Sequence, residues 1–482
     1  MEEVNEEILH PKKELASYAF GSFSREFMRI AFSANAFYFF ESEIHLDVWL
    51  VGLAFVIFAV YNMFNDPIIG YLTNKQFKFT RKHGRRFIWI LIGGLPWGLS
   101  YALIFLPPST DAVNDTLIIF LWLIFTTCLF DTFHSLFFVN FIALYPDKFR
   151  SMKERRLTSS FQIMIGVVGT ALGAILPPLV FNYGDIPSFF YQGLISFIVV
   201  TIGFVIAIPG VREDQVLIDK YFEKYKEEST EKESFFQSMK RAVMQRAFIT
   251  FMVIYTLYQS MIETMQASIP YVVRFSLGME SQAQTIIFAA FLIGVLISAP
   301  FWKKLADKLN DNRKVLFIAA LMLGAFTLPL LFLRNYIGII INMVLWGIPL
   351  GGFWIMIYPV SGDVIDNSII LTKRREEGLY TGFQMFFGRL GIVAQALTFS
   401  IVHSLTGFSE ATVPSDLIIL GINLNINLAP AISDLAVFGI HLHTSLIPAI
   451  FIFVGAIVFW KLYDLTPDKV ENNRIQLRQL KL

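Results

Sequence analysis

Cysteine is nearly absent from this chain: Cys128 stands alone among 482 residues, which excludes an internal disulfide and a cysteine-based metal cluster. Charge is scarce as well. Asp, Glu, Lys and Arg make up 16% of the residues against 55% hydrophobic, a balance that sets soluble folds aside. The net charge of +1 is not pooled on one domain but spread through short loops, so no nucleic-acid partner is expected. The charged amino end, Met1 to Glu14, is not followed by a small-residue cleavage site, so the first apolar span is expected to stay. Also missing are an ATPase-type glycine loop, a paired-histidine metal motif and a nucleophile placed beside a base. An enzyme and a cofactor are therefore not expected, and any uphill work has to draw on a gradient.

What the chain does have is apolar length. Twelve stretches of about 20 residues, enough for a helix to cross a bilayer, fill it from Leu15 to Leu465. They fall near 17–40, 48–74, 87–107, 116–145, 157–181, 187–209, 247–274, 282–304, 314–333, 336–362, 379–405 and 438–462. The loop after the second is purely basic (Lys75, Lys78, Arg81, Lys82, Arg85, Arg86), and the loop after the fourth carries Lys148, Arg150, Lys153, Arg155 and Arg156. The first and third loops instead hold Glu41, Glu43, Asp47, Asp111 and Asp115, so the positive-inside rule places both termini in the cytoplasm.

Val211 to Gln245, dense in Glu and Lys, reads as a cytoplasmic linker that divides the spans six and six. The expected organisation is a cytoplasmic segment 1–16, a six-helix bundle 17–210, the linker 211–245, a second bundle 246–464 and a tail 465–482. A weak repeat supports the division: Gly70-Tyr71-Leu72-Thr73-Asn74-Lys75 ends the second span and Leu305-Ala306-Asp307-Lys308 the eighth. Two related six-helix halves are a transporter signature. The last outer loop, about 405–441, is long and partly apolar, suited to a packed hairpin or a lid.

Ionisable groups within such spans cost about 2.5 to 3.5 kcal/mol each on insertion scales, so they usually face a cavity or a partner. Asn62, Asn65 and Asp66 share one helix face at i, i+3, i+4 and offer two amide oxygens and a carboxylate to sodium or a proton. Pro67 frees the carbonyl of Met63 as a further ligand, while the structural alternative has Asp66 capping the helix or pairing with a loop. Asp131, His134 and Ser135 repeat the spacing in the fourth span, suited to a proton relay, a polar solute or mutual satisfaction. Glu26 lies within reach of Arg25 and Arg29, either as an intrahelical ion pair or as a ligand. Arg389, with Gln384 one to two turns before it, needs an anion such as Glu263, Asp66 or a bound carboxylate or phosphate. Trp354 offers a flat face to a sugar ring or acyl chain, or simply packs. Glu263, Gln266 and Pro270 mark a bendable stretch of the seventh span.

The run Asn65-Asp66-Pro67-Ile68-Ile69-Gly70, followed by Gly362-Asp363 through Asp366 and Lys373-Arg374-Arg375-Glu376-Glu377-Gly378, resembles the glycoside-pentoside-hexuronide:cation symporters (melibiose permease-like) of the major facilitator superfamily. The resemblance implies an all-α membrane protein with twelve transmembrane helices in two pseudo-symmetric bundles, the major facilitator fold. It implies alternating access and a coupling cation, sodium (at Asp66) or a proton, driving a sugar or glycoside uphill. By motif position it gives the cation to Asn65 and Asp66, the sugar to Glu26 and Trp354, the link between them to Arg389, and a cytoplasmic gate to Arg155, Asp363, Asp366, Arg375 and the neighbouring Glu377. Asn62 stands where the family has a second aspartate. The family's fourth-helix aspartate and tryptophan fall at Phe138 and Ile142, and its fifth-helix arginine near Gln162 or Ile163. Asp131, one to two turns upstream of Phe138, is the residue placed to compensate.

The expectation is a monomeric multi-pass symporter of the cell membrane whose solute site draws on Glu26, Asp131, His134, Trp354, Gln384 and Arg389. A lysolipid or other amphiphile symporter of the same superfamily is the alternative, favoured by the 50 phenylalanines. A transport-inactive sensor or scaffold docking through the linker is a third reading.

Overall fold

A computed structural model describes residues 10–73, 77, 80, 84–149, 151–213, 235–373, 377–408, 418–419, 422–423 and 432–479. The expected gate residue Arg375, the side chain of Glu377, the basic loop residues Lys75, Lys78, Arg81, Lys82 and Arg150, and linker residues 214–234 lie outside them. The chain forms two compact units, Met1–Thr230 and Glu231–Leu482.

The first unit is built from α1 (Lys12–Tyr38), α2 (Val48–Thr73), α3 (Phe87–Ile104), α4 (Thr116–Lys148), α5 (Met152–Val180) and α6 (Ile186–Val211). The second holds a short α7 (Phe235–Val243), then α8 (Arg246–Tyr271), α9 (Ala283–Leu309), α10 (Asn312–Thr327), α11 (Tyr336–Thr372), α12 (Glu377–Gly388), α13 (Leu390–Thr406), α14 (Asp434–His441), α15 (Ile447–Leu462) and α16 (Pro467–Gln479). Among the described residues ten helical stretches are long and apolar enough to cross a membrane by length and composition alone. α1 and α8 complete six per unit. In lipid every backbone polar group has to be satisfied within the segment, and helices do this despite internal prolines such as Pro67, through which α2 continues to Thr73.

Glycines set how closely the helices approach. On α5, a Cβ at Gly169 or Gly173 would lie 2.4 Å from the carbonyl oxygen of Phe23 or Phe27, so only glycine lets α1 lie against this face. Gly294 of α9 and Gly347 of α11 do the same in the second unit, each facing a backbone oxygen at 2.1 Å from the added Cβ position.

Helix ends are anchored by polar side chains. Ser151 accepts from Glu154 N at 3.1 Å to start α5, and Asp311 accepts from Lys314 N at 3.0 Å to start α10. Lys148 closes α4 by pairing with Glu14 at 2.5 Å and donating to the Gly210 and Arg212 carbonyls at the end of α6. Glu213 accepts from the backbone N–H groups of Arg86 and Phe87 at the start of α3, at 2.6 and 3.0 Å. Burial pushes its carboxyl above the usual range, against the pull of those N–H groups.

Two differences from the sequence expectation concern continuity. The eleventh span is interrupted at Arg389, which separates α12 from α13 within Gly388-Arg389-Leu390-Gly391, a run weakened by two glycines. Five-residue π turns follow α1 (Phe39–Glu43) and α8 (Val272–Ser276), and a third (Leu442–Leu446) joins α14 to α15. In the long last outer loop Ile418–Ile419 and Ile422–Asn423 pair antiparallel, as the expected hairpin would, and α14 already occupies its end from Asp434; residues 409–417, 420–421 and 424–431 lie outside the described residues.

Candidate ion and solute sites

In the first unit the two i, i+3, i+4 sets of α2 and α4 face each other. Asn62 Nδ2 donates to Asp131 Oδ1 at 2.6 Å, and Asn65 Nδ2 lies 2.9 Å from Asp131 Oδ2 and 3.0 Å from Ser135 Oγ. Ser135 in turn donates to Asp66 Oδ1 at 2.5 Å. Tyr61 and Thr132 hydroxyls add a further bond between the helices at 2.7 Å. Asp131, Asn62 and Asn65 are 2%, 1% and 5% exposed while Asp66 is half-buried, so a buried carboxylate and a half-buried one are tied together by amides and a hydroxyl.

One atom of this cluster is left over. Asn62 Oδ1 is buried and has no hydrogen-bond partner, and burying a neutral acceptor in this way costs about 1 to 3 kcal/mol. A hard cation takes oxygen ligands, and the cluster offers Asn62 Oδ1, the Asp66 and Asp131 carboxylates and Ser135 Oγ. Among the described residues no group of three or more His, Cys, Asp or Glu side chains is arranged to hold a metal ion, so an ion here would lean on amide and hydroxyl oxygens beside the carboxylates. The fourth-helix carboxylate that meets the α2 face is thus Asp131, a turn or two before the Phe138 position to which the sequence resemblance assigned it.

His134 stands beside this cluster, its Nδ1 3.9 Å from Asp131 Oδ1, beyond hydrogen-bond reach of that atom. Its ring lies against Phe138 at 5.2 Å and 18°, backed by Trp97 at 5.0 Å.

On α1, Ser22, Arg25, Glu26 and Arg29 form the half-buried face. Arg25 bonds Glu26 Oε1, and Arg29 Nε donates to Glu26 Oε2 at 3.0 Å. Both carboxylate oxygens are therefore engaged, and the triad carries one positive charge in excess. Arg25 also lies 4.2 Å above the Phe138 ring, a contact that sequence patterns do not reveal. Gln162 donates to Ser22 at 3.2 Å.

The remaining expected residues are placed as follows. Trp354 Nε1 donates to the Tyr258 hydroxyl at 2.5 Å, and Tyr258 stacks on Phe353 at 4.2 Å; Tyr258, which sequence reasoning missed, fixes the orientation of the indole. Gln384 accepts from Ser361 at 3.1 Å, and Arg389 sits at the α12–α13 break. Glu263 is buried in α8. Of the expected gate residues, Asp363 accepts from Asn312 at 3.1 Å, and Asp366 is half-buried on α11. Arg155 donates from Nε to the Phe149 carbonyl at 2.7 Å and from Nη2 to Pro146 O at 3.2 Å, closing the C-terminal end of α4.

Five apolar stretches in each unit, preceded by α1 and by α8, with buried ionisable groups such as Asp131 and Glu263 among them, fit the architecture of a major facilitator transporter. A family model described as MFS/sugar transport protein matches residues 17–467, and the chain belongs to that family. It is 21% identical over 453 residues to the sodium-dependent lysophosphatidylcholine symporter 1-A of Danio rerio, covering 86% of this chain and 78% of that one. It is 23% identical over 402 residues to the lactose permease of Lactobacillus delbrueckii subsp. bulgaricus, covering 79% and 61%. A solved structure of the nucleoside transporter NupG superposes with a TM-score of 0.56 at 15% identity over 94% of this chain and 100% of that one, a likeness of fold.

Proposed function

We propose that the chain is a cation-coupled symporter whose ion, sodium or a proton, is held between α2 and α4 by Asn62, Asn65, Asp66, Asp131 and Ser135. The observation that carries this reading is the buried, unpartnered Asn62 Oδ1 beside two carboxylates. The motif around Asn65-Asp66-Pro67 supports membership in the cation-symporter branch of the family. The carrier is a monomer of the cell membrane with both termini in the cytoplasm, acts without enzymatic chemistry, and needs no cofactor beyond the coupling ion.

The solute we propose is an amphiphile with an anionic or zwitterionic head group, such as a lysophospholipid. Support comes from the positive excess of the Arg25–Glu26–Arg29 triad and from the similarity to symporters named for lysophosphatidylcholine. A sugar or glycoside is the second reading, favoured by the lactose permease relative and by the fixed indole of Trp354. Under that reading a solute hydroxyl has to displace an arginine to reach Glu26.

Proteoliposomes with an imposed sodium or proton gradient, offered lysophosphatidylcholine and a panel of disaccharides, test the proposal. Accumulation should follow one gradient in the wild type and be lost in Asp66→Asn and Asp131→Asn. Equal gradient-driven accumulation by both variants would overturn the ion assignment, and uptake of disaccharide alone would overturn the solute.

A further inference from the structure

One face of α4 runs from the ion cluster to the charged face of α1. Asp131, His134 and Phe138 are spaced i, i+3, i+7 and so lie along one side of the helix. Asp131 holds the Asn62 and Asn65 amides at one end. At the other, the Phe138 ring carries the Arg25 guanidinium at 4.2 Å, and Arg25 is bonded to Glu26. His134 fills the space between, 3.9 Å from Asp131 Oδ1 and stacked on Phe138 at 5.2 Å. Trp97 of α3, 1% exposed, packs behind the imidazole and limits where it can turn.

We propose that His134 and Phe138 are the positioning residues that couple ion occupancy to the Arg25–Glu26–Arg29 triad. The inference rests on the ion assignment above and adds the route by which the ion is felt at α1. Without the ion and with the imidazole proton on Nδ1, the Asp131 charge attracts that edge of His134 and holds the His134–Phe138 stack in one register. A cation among Asn62, Asp66 and Asp131 offsets that charge and releases the imidazole. The stack then shifts, and the guanidinium seated on Phe138 moves with it because its cation–π attraction follows the ring face. Arg25 drags Glu26, and through Glu26 Arg29, so the triad's charge is presented differently in the two ion states. The route lies entirely within the first unit, and neither of its two side chains belongs to the ion cluster.

The test uses the purified full-length chain and needs no solute. Sodium binding is measured by isothermal titration, and the rate of phenylglyoxal modification at Arg25 is followed by peptide mass spectrometry in sodium or choline chloride. In the wild type sodium should change that rate by about fivefold, the low end of typical coupling between sites. His134→Gln and Phe138→Leu should still bind sodium, yet show a sodium effect below about 1.5-fold, whereas Phe138→Tyr, which keeps the ring face, should retain it. A structural defect alone would not remove the sodium dependence while leaving sodium binding intact. The proposal is overturned if sodium binds the wild type without changing Arg25 reactivity, or if Phe138→Leu keeps the full effect. If the wild type shows no sodium binding, and proton titration of Asp131 likewise leaves Arg25 unchanged, the ion assignment and the coupling fail together.

Discussion

Ser135 Oγ donates to Asp66 Oδ1 at 2.5 Å while lying 3.0 Å from Asn65 Nδ2, so one hydroxyl ties the α2 carboxylate to the amide that also holds Asp131. Two acidic groups that would otherwise repel, Asp131 buried and Asp66 half-buried, are organised by neutral donors.

That hydroxyl is expected to matter for the ion more than for the fold. Ser135→Ala removes a hydrogen bond to a charged group, worth roughly 1.5 kcal/mol or more, and should weaken the apparent affinity for the coupling ion by about tenfold. The ion dependence of uptake in proteoliposomes measures it, and an unchanged half-saturating concentration would contradict the assignment.

Glu26→Gln separates the two solutes. Loss of the carboxylate raises the positive excess of the triad, so binding of lysophosphatidylcholine should be retained or strengthened, by up to about threefold. A sugar that bonded the carboxylate would instead lose about tenfold or more. Equilibrium binding of both ligand types to purified variants gives the answer.

Close approach of α1 and α5 predicts a sharp contrast between neighbouring glycines. At Gly173 an added methyl meets the Phe27 carbonyl oxygen at 2.4 Å, so Gly173→Ala should destabilise by about 1 to 3 kcal/mol. At Gly166 the nearest atom is the Glu26 side chain at 3.7 Å, ordinary contact, and Gly166→Ala should be nearly neutral. Thermal unfolding in detergent reads both.

Glu213 gives a pH dependence with a definite sign. Burial raises its folded-state pKa above the unfolded value, so its contribution to stability is fully present below the unfolded pKa, about 4.3, and is lost as pH rises through the raised one. Glu213→Gln keeps an oxygen for the Arg86 and Phe87 N–H groups but cannot ionise. The variant should therefore gain thermal stability relative to wild type on going from about pH 4 to neutral. A difference independent of pH would show that Glu213 does not titrate in this range.

The spans were legible because runs of about 20 apolar residues admit few alternatives to a crossing helix. Facing was harder. The spacing of Asn62, Asn65 and Asp66 revealed a polar stripe, and that of Asp131, His134 and Ser135 another, but periodicity along one helix does not say which neighbour a stripe meets. Hence motif position points to Phe138 where the structure uses Asp131. The Glu26 ion pairs were readable because both partners lie on the same helix, one and three residues away. Tyr258 beneath Trp354 was not, since the two are 96 positions apart. The capping by Arg155 rests on backbone carbonyls, which sequence patterns do not display, whereas the break at Arg389 falls in a two-glycine run that the apolar length of the span overrides.

The π turns that follow α1 and α8 bear on which way side chains face. An i→i+5 turn carries one residue more than the α-helix around it, so the residues beyond it are rotated about the axis relative to an unbroken helix. The opening helix of each half ends in this device, whereas the turn at Leu442–Leu446 has no counterpart in the uninterrupted α6.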